Sequence, residues 1–321
     1  MKKVWRFGLS AGMAMSLLTA CGEEAETVKE SPAEPVEETA GAEFPVTLID
    51  AVGEEIVIEE EPDAIVSLVP SNTEIAYGLG LGDKMVGLSD YDNYPEETEE
   101  VEKIGGQEFN VEKIISLQPD IVLAHESGLG VGEGGLQQLR EAGISVLVLD
   151  SAINFEEVYE TMATIGQATG AIEEAEMMVD EMKQEVGEIE ELAASVEESK
   201  SVFIEVSGPP EIYTAGSGTF MDEMLSIINA ENVADDFEGW VSLDPEAIIE
   251  KNPDVILTTY GYYNAEAIDQ VLSRDGFGGI TAIENEAVYD VESDLVSRTG
   301  PRLTEGLMEM AEAVYPEVFS E

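Results

Sequence analysis

The sequence predicts an α/β protein made of two lobes joined by a helical connector. Three observations predict it. Short apolar runs alternate with short helical patterns in two blocks, the reading of βα units around parallel sheets. Between the blocks, residues 154–200 carry helical periodicity with no proline, no strand and one break at Gly170. A segment of the first block also recurs in the second: 109–125 reads FNVEKIISLQPDIVLAH and 243–259 reads LDPEAIIEKNPDVILTT, with six of 17 positions identical. Duplication of a helix-to-strand unit in both blocks implies pseudo-symmetry.

The N-terminus comes first in the chain. Lys2, Lys3 and Arg6 precede an apolar stretch from Phe7 to Ala20, shorter than the ~20 residues a bilayer span requires, so 1–20 reads as a signal peptide. It ends in Leu18-Thr19-Ala20-Cys21-Gly22, which resembles the lipobox of bacterial lipoproteins and makes Cys21 the expected lipidation site. Residues 21–43 are rich in Glu, Ala, Thr and Pro, a composition that buries no core and reads as an acidic tether. The expected divisions are therefore 44–152 for the first lobe, 153–200 for the connector and 201–321 for the second lobe.

In the first lobe the pattern predicts a hairpin over 46–60 and a strand over 64–69. Ser71-Asn72-Thr73-Glu74 reads as a capping box opening a helix that ends near Gly78. Strands follow at 85–88, 120–124 and 145–150, with helices at 110–117 and 136–141. In the connector, 171–200 would extend about 45 Å as one helix at about 1.5 Å per residue. Met177, Met178, Met182 and Val186 form one short apolar stripe on it, fitting a strut better than a coiled coil. The second lobe is predicted as strands at 201–206, 255–259 and 287–291 with helices at 220–229, 245–251, 265–273 and 302–314.

Composition narrows function. The 321 residues hold 14 Lys plus Arg against 70 Asp plus Glu, a net charge of −56, with one His and one Cys. Such a surface repels nucleic-acid backbones and anionic lipid. One cysteine excludes an intramolecular disulfide or a Cys-based metal centre, and one histidine excludes a multi-His site. The glutamates are spread through nearly every helix, which suits a solvated-surface adaptation better than an acidic face for a cationic ligand. No hydrolase, zincin, redox or P-loop signature is present. Gly130-Val131-Gly132-Glu133-Gly134-Gly135 matches GxGxxG formally, but it lies well past its strand and before a short helix, a poor dinucleotide loop. Two lobes, an export anchor and no catalytic signature point to a ligand cleft between the lobes and to no enzyme, cofactor or resident metal.

The runs IVSLVPSNTEIAYGLGLGDKMVGLSDYDNYP, VEKIGGQEFNVEKIISLQPDIVLAHESG and SDLVSRTGPRLTEGL resemble the metal-chelate class of ABC-importer substrate-binding proteins, which bind cobalamin, ferric siderophores or haem. The resemblance covers about residues 46–318. It implies two Rossmann-like lobes joined by a single long helix, the class III periplasmic-binding-protein fold, a monomer, and a permease with its ATPase as partner. It also implies that Glu112 and Glu246, the acids shared by the internal repeat, dock on permease arginines. Read from the helix pattern alone, the same two acids are first-turn dipole partners, and both roles can coexist.

Within the class, the cobalamin-binding branch is the most similar. By that resemblance Tyr91, Tyr213, Trp240, Asp294 and Arg298 are ligand contacts: aromatic faces for the corrin, Asp294 for its amide arms and Arg298 for its phosphodiester. Each also has an ordinary reading as an edge aromatic, a loop anchor or a helix flank, and Arg302, which opens a helix, reads as structural. The chain departs from that branch at Gly105-Gly106-Gln107, where the branch carries a large aromatic. That departure keeps ferric siderophore or haem open as the ligand. His125 stands at a strand end as either a hydrogen-bonded loop residue or a metal contact. From other classes, an exported NAD-type oxidoreductase resting on the glycine run and a surface adhesin resting on the anchor remain alternatives.

Overall fold

The computed structural model describes residues 44–319. The expected signal peptide, the tether up to residue 43 and Cys21 lie outside the described residues.

The first lobe opens with an antiparallel hairpin of β1 (Val46–Ile49) and β2 (Glu55–Ile58). The Asp50 carboxylate accepts from the backbone N–H groups of Val52 and Glu54 at the turn. Then come β3 (Ile65–Ser67), α1 (Pro70–Gly78), β4 (Met85–Leu88), α2 (Val111–Leu117), β5 (Ile121–His125), α3 (Leu129–Glu141) and β6 (Ser145–Leu149). The four later strands form a parallel sheet in the order β4-β3-β5-β6. Their near-continuous apolar runs are what a sheet covered on both faces requires.

Two expectations fail in this lobe. The helix α1 starts at Pro70, with Val69 as an N-cap whose side chain caps nothing. Proline at the first helical position has no N–H to satisfy, so the helix begins one residue before the supposed capping box. Asn72, Thr73 and Glu74 are freed for burial. Likewise α3 runs from Leu129 rather than from 136, so the whole glycine run is helical and makes no phosphate-binding turn. The glycines serve packing: a Cβ on Gly132 or Gly135 would lie 2.9 or 2.7 Å from the Phe109 ring.

The connector divides at Gly170, as the pattern predicts, into two packed helices. Asn154 caps α4 (Phe155–Thr169) by accepting from the Glu157 N–H at 2.9 Å, and Gly170 breaks the chain at φ +83° before α5 (Ile172–Ala193). The long helix thus has 22 residues and ends at Ala193 rather than near Lys200, a length of about 33 Å. Just beyond its end the Ser195 hydroxyl donates to the Leu192 carbonyl, a side-chain bond that competes with helix continuation. Its buried stripe is Ala175, Met182, Ile189 and Ala193, with Met178 and Val186 packed against it, whereas Met177 stands exposed.

The second lobe comprises β7 (Ser201–Glu205), β8 (Ile212–Ala215), α6 (Phe220–Ile227), β9 (Glu231–Asn232), β10 (Trp240–Leu243), α7 (Pro245–Lys251), β11 (Val255–Thr258), α8 (Ala267–Leu272), α9 (Thr281–Glu284), β12 (Val288–Asp290), α10 (Ser293–Ser297), α11 (Leu303–Val314) and α12 (Pro316–Phe319). Its parallel sheet runs β12-β11-β7-β9, matching the order of the first lobe strand for strand. A separate antiparallel pair, β8 with β10, was not legible in the sequence pattern.

The repeat is an actual structural equivalence. Both α2 and α7 end on a left-handed residue, Gln118 at φ 53° and Asn252 at φ 46°, followed by Pro-Asp. In each lobe that aspartate clamps the start of the neighbouring central strand. Asp120 accepts from the N–H groups of Asp63 and Ala64, and Asp254 from the N–H and hydroxyl of Ser201. One apolar core runs from β3 and β5 through α4 and α5 to β7 and α11. The lobes are therefore packed through the connector rather than strung on a flexible link.

Candidate functional site

In both lobes the loops that carry chemistry leave the C-terminal ends of the parallel strands, the edge where open α/β sheets bind ligands. These two edges are bolted to each other. Arg298, beyond β12, donates to Glu74 Oε1 on α1 at 2.7 Å, to Asn93 Oδ1 beyond β4 at 2.8 Å and, at 3.4 Å, to the Tyr91 carbonyl. Asn93 also donates to Asp294 at 2.9 Å, and Asp294 pairs with Arg298 at 2.9 Å. Arg302 completes the group, placing Nε and Nη2 on the two Glu74 oxygens at 2.9 and 2.8 Å with its guanidinium 3.8 Å from the Tyr94 ring centre.

Of the residues expected at a ligand site, Tyr91, Asp294 and Arg298 meet in this cluster. The Arg298 side chain is only 12% exposed and already serves Glu74, Asp294, Asn93 and Tyr91. Arg302 has the structural role expected of it. Tyr213 and Trp240 form a second group on the β8–β10 pair. Tyr213 lies opposite Ser242 and Trp240 opposite Ala215, so the two aromatics share one face diagonally. Both are exposed, and Trp240 is held by the Phe220 ring at 5.6 Å.

At Gly105-Gly106-Gln107 the first-lobe wall supplies no aromatic side chain of its own. A Cβ on Gly106 would lie 2.8 Å from the Tyr91 hydroxyl, so the tyrosine leans over the space that a side chain would fill. Beside it is a cavity of about 160 Å³ lined by Leu68, Tyr91, Gly106, Phe109 and His125. A larger groove of about 630 Å³, lined by residues 195–200, Tyr289 and Pro316, lies toward the other end of the second sheet and shares none of these aromatics.

His125 has a defined local job. The Ser127 N–H donates to its Nδ1 at 3.2 Å and the Ser127 hydroxyl lies 2.8 Å from the same nitrogen. A nitrogen that accepts a backbone N–H carries no proton, so the neutral ring bears its hydrogen on Nε2 and offers no lone pair there. Burial pushes the imidazole below its usual value, against the opposing pull of Glu126 and Asp150. The residue caps this turn.

Sequence reasoning missed Glu74, buried and shared by two arginines, and the loop after β11 that carries Tyr262 and Tyr263. The Tyr-Gly-Tyr-Tyr run at a strand's C-terminal end was the available signal. Glu112 and Glu246 are both exposed and occupy the second helical position of α2 and α7. Among the described residues no cluster of three or more His, Cys, Asp or Glu could hold a metal ion, and no helix is long and apolar enough to cross a membrane.

This architecture is that of a two-lobed solute-binding protein whose lobes are tied together at the C-terminal edges of their sheets. The chain belongs to the periplasmic binding protein family, which matches residues 65–295. It is similar over its full length, and over the full length of the relative, to the uncharacterized ABC transporter substrate-binding lipoprotein YvrC of Bacillus subtilis, at 48% identity. A cobalamin-binding protein of Halobacterium salinarum is 29% identical over 88% of this chain and 78% of its own. Among solved structures, a possible iron-binding (periplasmic solute-binding) protein from Staphylococcus epidermidis superposes with a TM-score of 0.74 at 38% identity, covering 80% of this chain and 100% of that one. The fold is the class III periplasmic-binding arrangement of two Rossmann-like lobes, and the protein is an ABC-importer substrate-binding protein of the metal-chelate class, not an enzyme. The oxidoreductase and adhesin alternatives fall with that assignment.

Proposed function

We propose that this protein captures a corrinoid in the cleft between its lobes and delivers it to an ABC permease, held outside the cell by a lipid on Cys21. The observation that carries the reading is the set of exposed aromatic side chains in both lobes: Tyr91 in the loop after β4 of one, Tyr213 and Trp240 on one face of the β8–β10 pair of the other. A corrin ring offers broad apolar faces to such residues, and aromatic surfaces lose little side-chain entropy on binding. Asp294, with a side chain 30% exposed, accepts from the ligand's amide arms. Arg298 carries a cation for the phosphodiester and, through its bonds to Glu74 and the Tyr91 carbonyl, anchors the wall from which Tyr91 projects. The similarity to the Halobacterium cobalamin-binding protein supports the same ligand. Glu112 and Glu246, matched in position on the two lobes, dock on permease arginines.

A ferric siderophore or haem is the second reading. It is favoured by the lack of an aromatic at Gly105-Gly106-Gln107, by the cavity of about 160 Å³ beside it, and by the Staphylococcus structure described as possibly iron-binding. Equilibrium dialysis of the purified protein against cyanocobalamin, hemin and a ferric hydroxamate decides between them. Retention of cyanocobalamin at one per chain supports the corrinoid. Retention of only a ferric ligand overturns the corrinoid and keeps the transport role.

A further inference from the structure

Seven aromatic side chains stand exposed among the described residues: Tyr91, Tyr94, Tyr213, Trp240, Tyr262, Tyr263 and Tyr289. Tyr289 lies within β12 and lines the distant groove. Tyr91, Tyr94, Tyr213 and Trp240 belong to the clusters already described, which leaves Tyr262 and Tyr263 without a role. They are the most exposed of the seven, at 72% and 62%. Two adjacent rings left in water are an apolar surface that a partner molecule would cover.

The loop that presents them is built rather than loose. At the end of β12, Asp290 Oδ1 accepts from the Thr258 hydroxyl at 2.5 Å and from the Gly261 N–H at 3.0 Å, tying the exit of β11 to its neighbour. Only glycine fits at 261, because a Cβ there would lie 1.9 Å from Asp290 Oδ2. The chain then turns back, with the N–H groups of Tyr263 and Asn264 donating to the Tyr260 carbonyl at 3.3 and 3.1 Å. Tyr263 stacks on Tyr260 at 5.8 Å, and Tyr262 meets Tyr263 edge to face at 4.8 Å. Tyr260 is itself buried, its hydroxyl 2.5 Å from Glu205 Oε1, and Arg274 forks onto both Glu205 oxygens at 2.7 Å. An ion pair closed off from solvent thus sets the platform on which the two exposed rings rest.

This platform lies on the ligand-facing edge. It leaves the C-terminal end of β11, the central strand between β7 and β12. The turn after β7 runs past it, since a Cβ on Gly208 would lie 2.9 Å from the Tyr260 hydroxyl, and the same turn bonds to Tyr213 through Val206 and Ser207. Beyond β12 the chain reaches Asp294 and Arg298, which grip the first lobe.

We propose that Tyr262 and Tyr263 form a further aromatic wall of the cleft, packing on the conjugated macrocycle or aryl groups of the bound metal chelate and supplying from the second lobe the surface that Gly105-Gly106-Gln107 do not supply from the first. The inference rests on the reading of the cleft as a metal-chelate site. Affinity then depends on the rings and little on the hydroxyls.

The test compares four proteins: wild type, Tyr262→Ala/Tyr263→Ala, Tyr262→Phe/Tyr263→Phe, and Tyr289→Ala as an exposed tyrosine outside the cleft. Each is titrated with cyanocobalamin, hemin and a ferric hydroxamate, after circular dichroism and thermal melts have verified the fold. The double alanine variant is expected to bind the ligand of the wild type about tenfold or more weakly, the effect of two lost aromatic contacts. The double phenylalanine variant and Tyr289→Ala should bind within about twofold of wild type. Wild-type affinity in the folded double alanine variant overturns this inference and leaves the parent reading standing. Failure of the wild type to bind any of the three chelates overturns the parent reading and this inference together.

Discussion

Glu74 and Arg298 stand 224 residues apart and meet at 2.7 Å across the two lobes, joining the helix after β3 to the segment after β12. Because Arg302 forks onto the same carboxylate, one buried acid fixes two arginines. This bond ties the strand-end loops of the two lobes together. Replacing Glu74 by Ala leaves the largely buried Arg302 guanidinium without its acid and Arg298 with Asp294 alone, and removing one member of a buried pair costs about 3–5 kcal/mol. Urea unfolding of Glu74→Ala against wild type checks the expectation. A loss below about 1 kcal/mol would mean that the fork is a screened surface interaction.

Gly106 controls Tyr91. A Cβ at this position comes within 2.8 Å of a phenol hydroxyl at the end of an exposed side chain, which swings away more readily than backbone would. Gly106→Ala should therefore cost little stability, under about 1 kcal/mol, while weakening ligand binding through displacement of Tyr91. Thermal melts and a ligand titration of the same preparation separate the two effects. Unchanged affinity would remove Tyr91 from the site.

The matched positions of Glu112 and Glu246 give a transport prediction. Exchanging both to Ala should abolish most uptake in cells while ligand affinity stays within about twofold of wild type, since both side chains are exposed on helix first turns. A parallel loss of affinity would place them in the cleft and end the docking assignment.

Acidification should stabilise the fold. Burial raises the carboxyls of Asp92, Glu223 and Glu309, with neighbouring acids adding to the effect at the two glutamates. A raised folded-state pKa gives stability that is present below the unfolded value and lost as pH rises through the folded one. Stability from these groups therefore grows as pH falls from 7 toward about 4, the ordinary carboxylate range. His125 acts in the opposite sense: its lowered value makes the folded state lose stability as pH falls below about 6.5, but it is one group against three. Relief of self-repulsion in a chain of net charge −56 adds to the carboxylate effect. The melting temperature should rise from pH 8 to pH 5 and, at pH 8, with added salt. A fall over that interval would show that ion pairs such as Arg274 with Glu205 dominate instead.

Much of the fold was legible because its signals are local. Asn110 and Asn154 each accept the N–H three residues on, and the Pro-Asp of the repeat marks the same strand entry in both lobes. Errors arose where one local rule overrode another. Pro70 displaced the Ser71 capping box, and packing against Phe109 kept a glycine-rich stretch helical despite a propensity cost of about 1 kcal/mol per glycine. The short β8 and β10 strands leave too few residues for a period to be read. Of the residues expected at the candidate site, Tyr91, Asp294 and Arg298 do lie in one hydrogen-bonded cluster, Tyr91 through its carbonyl. The bolt through Glu74 was not legible, because no local pattern reports a contact over 224 residues.

The most direct test of the central claim uses Trp240, the only tryptophan beyond Trp5. In protein lacking residues 1–20, every tryptophan photon comes from the β8–β10 face. Titration with cyanocobalamin, corrected for ligand absorbance, should give saturable one-to-one quenching that the Trp240 environment alone reports. Absence of saturable quenching, together with no retention of cyanocobalamin in dialysis, would contradict corrinoid capture in this cleft.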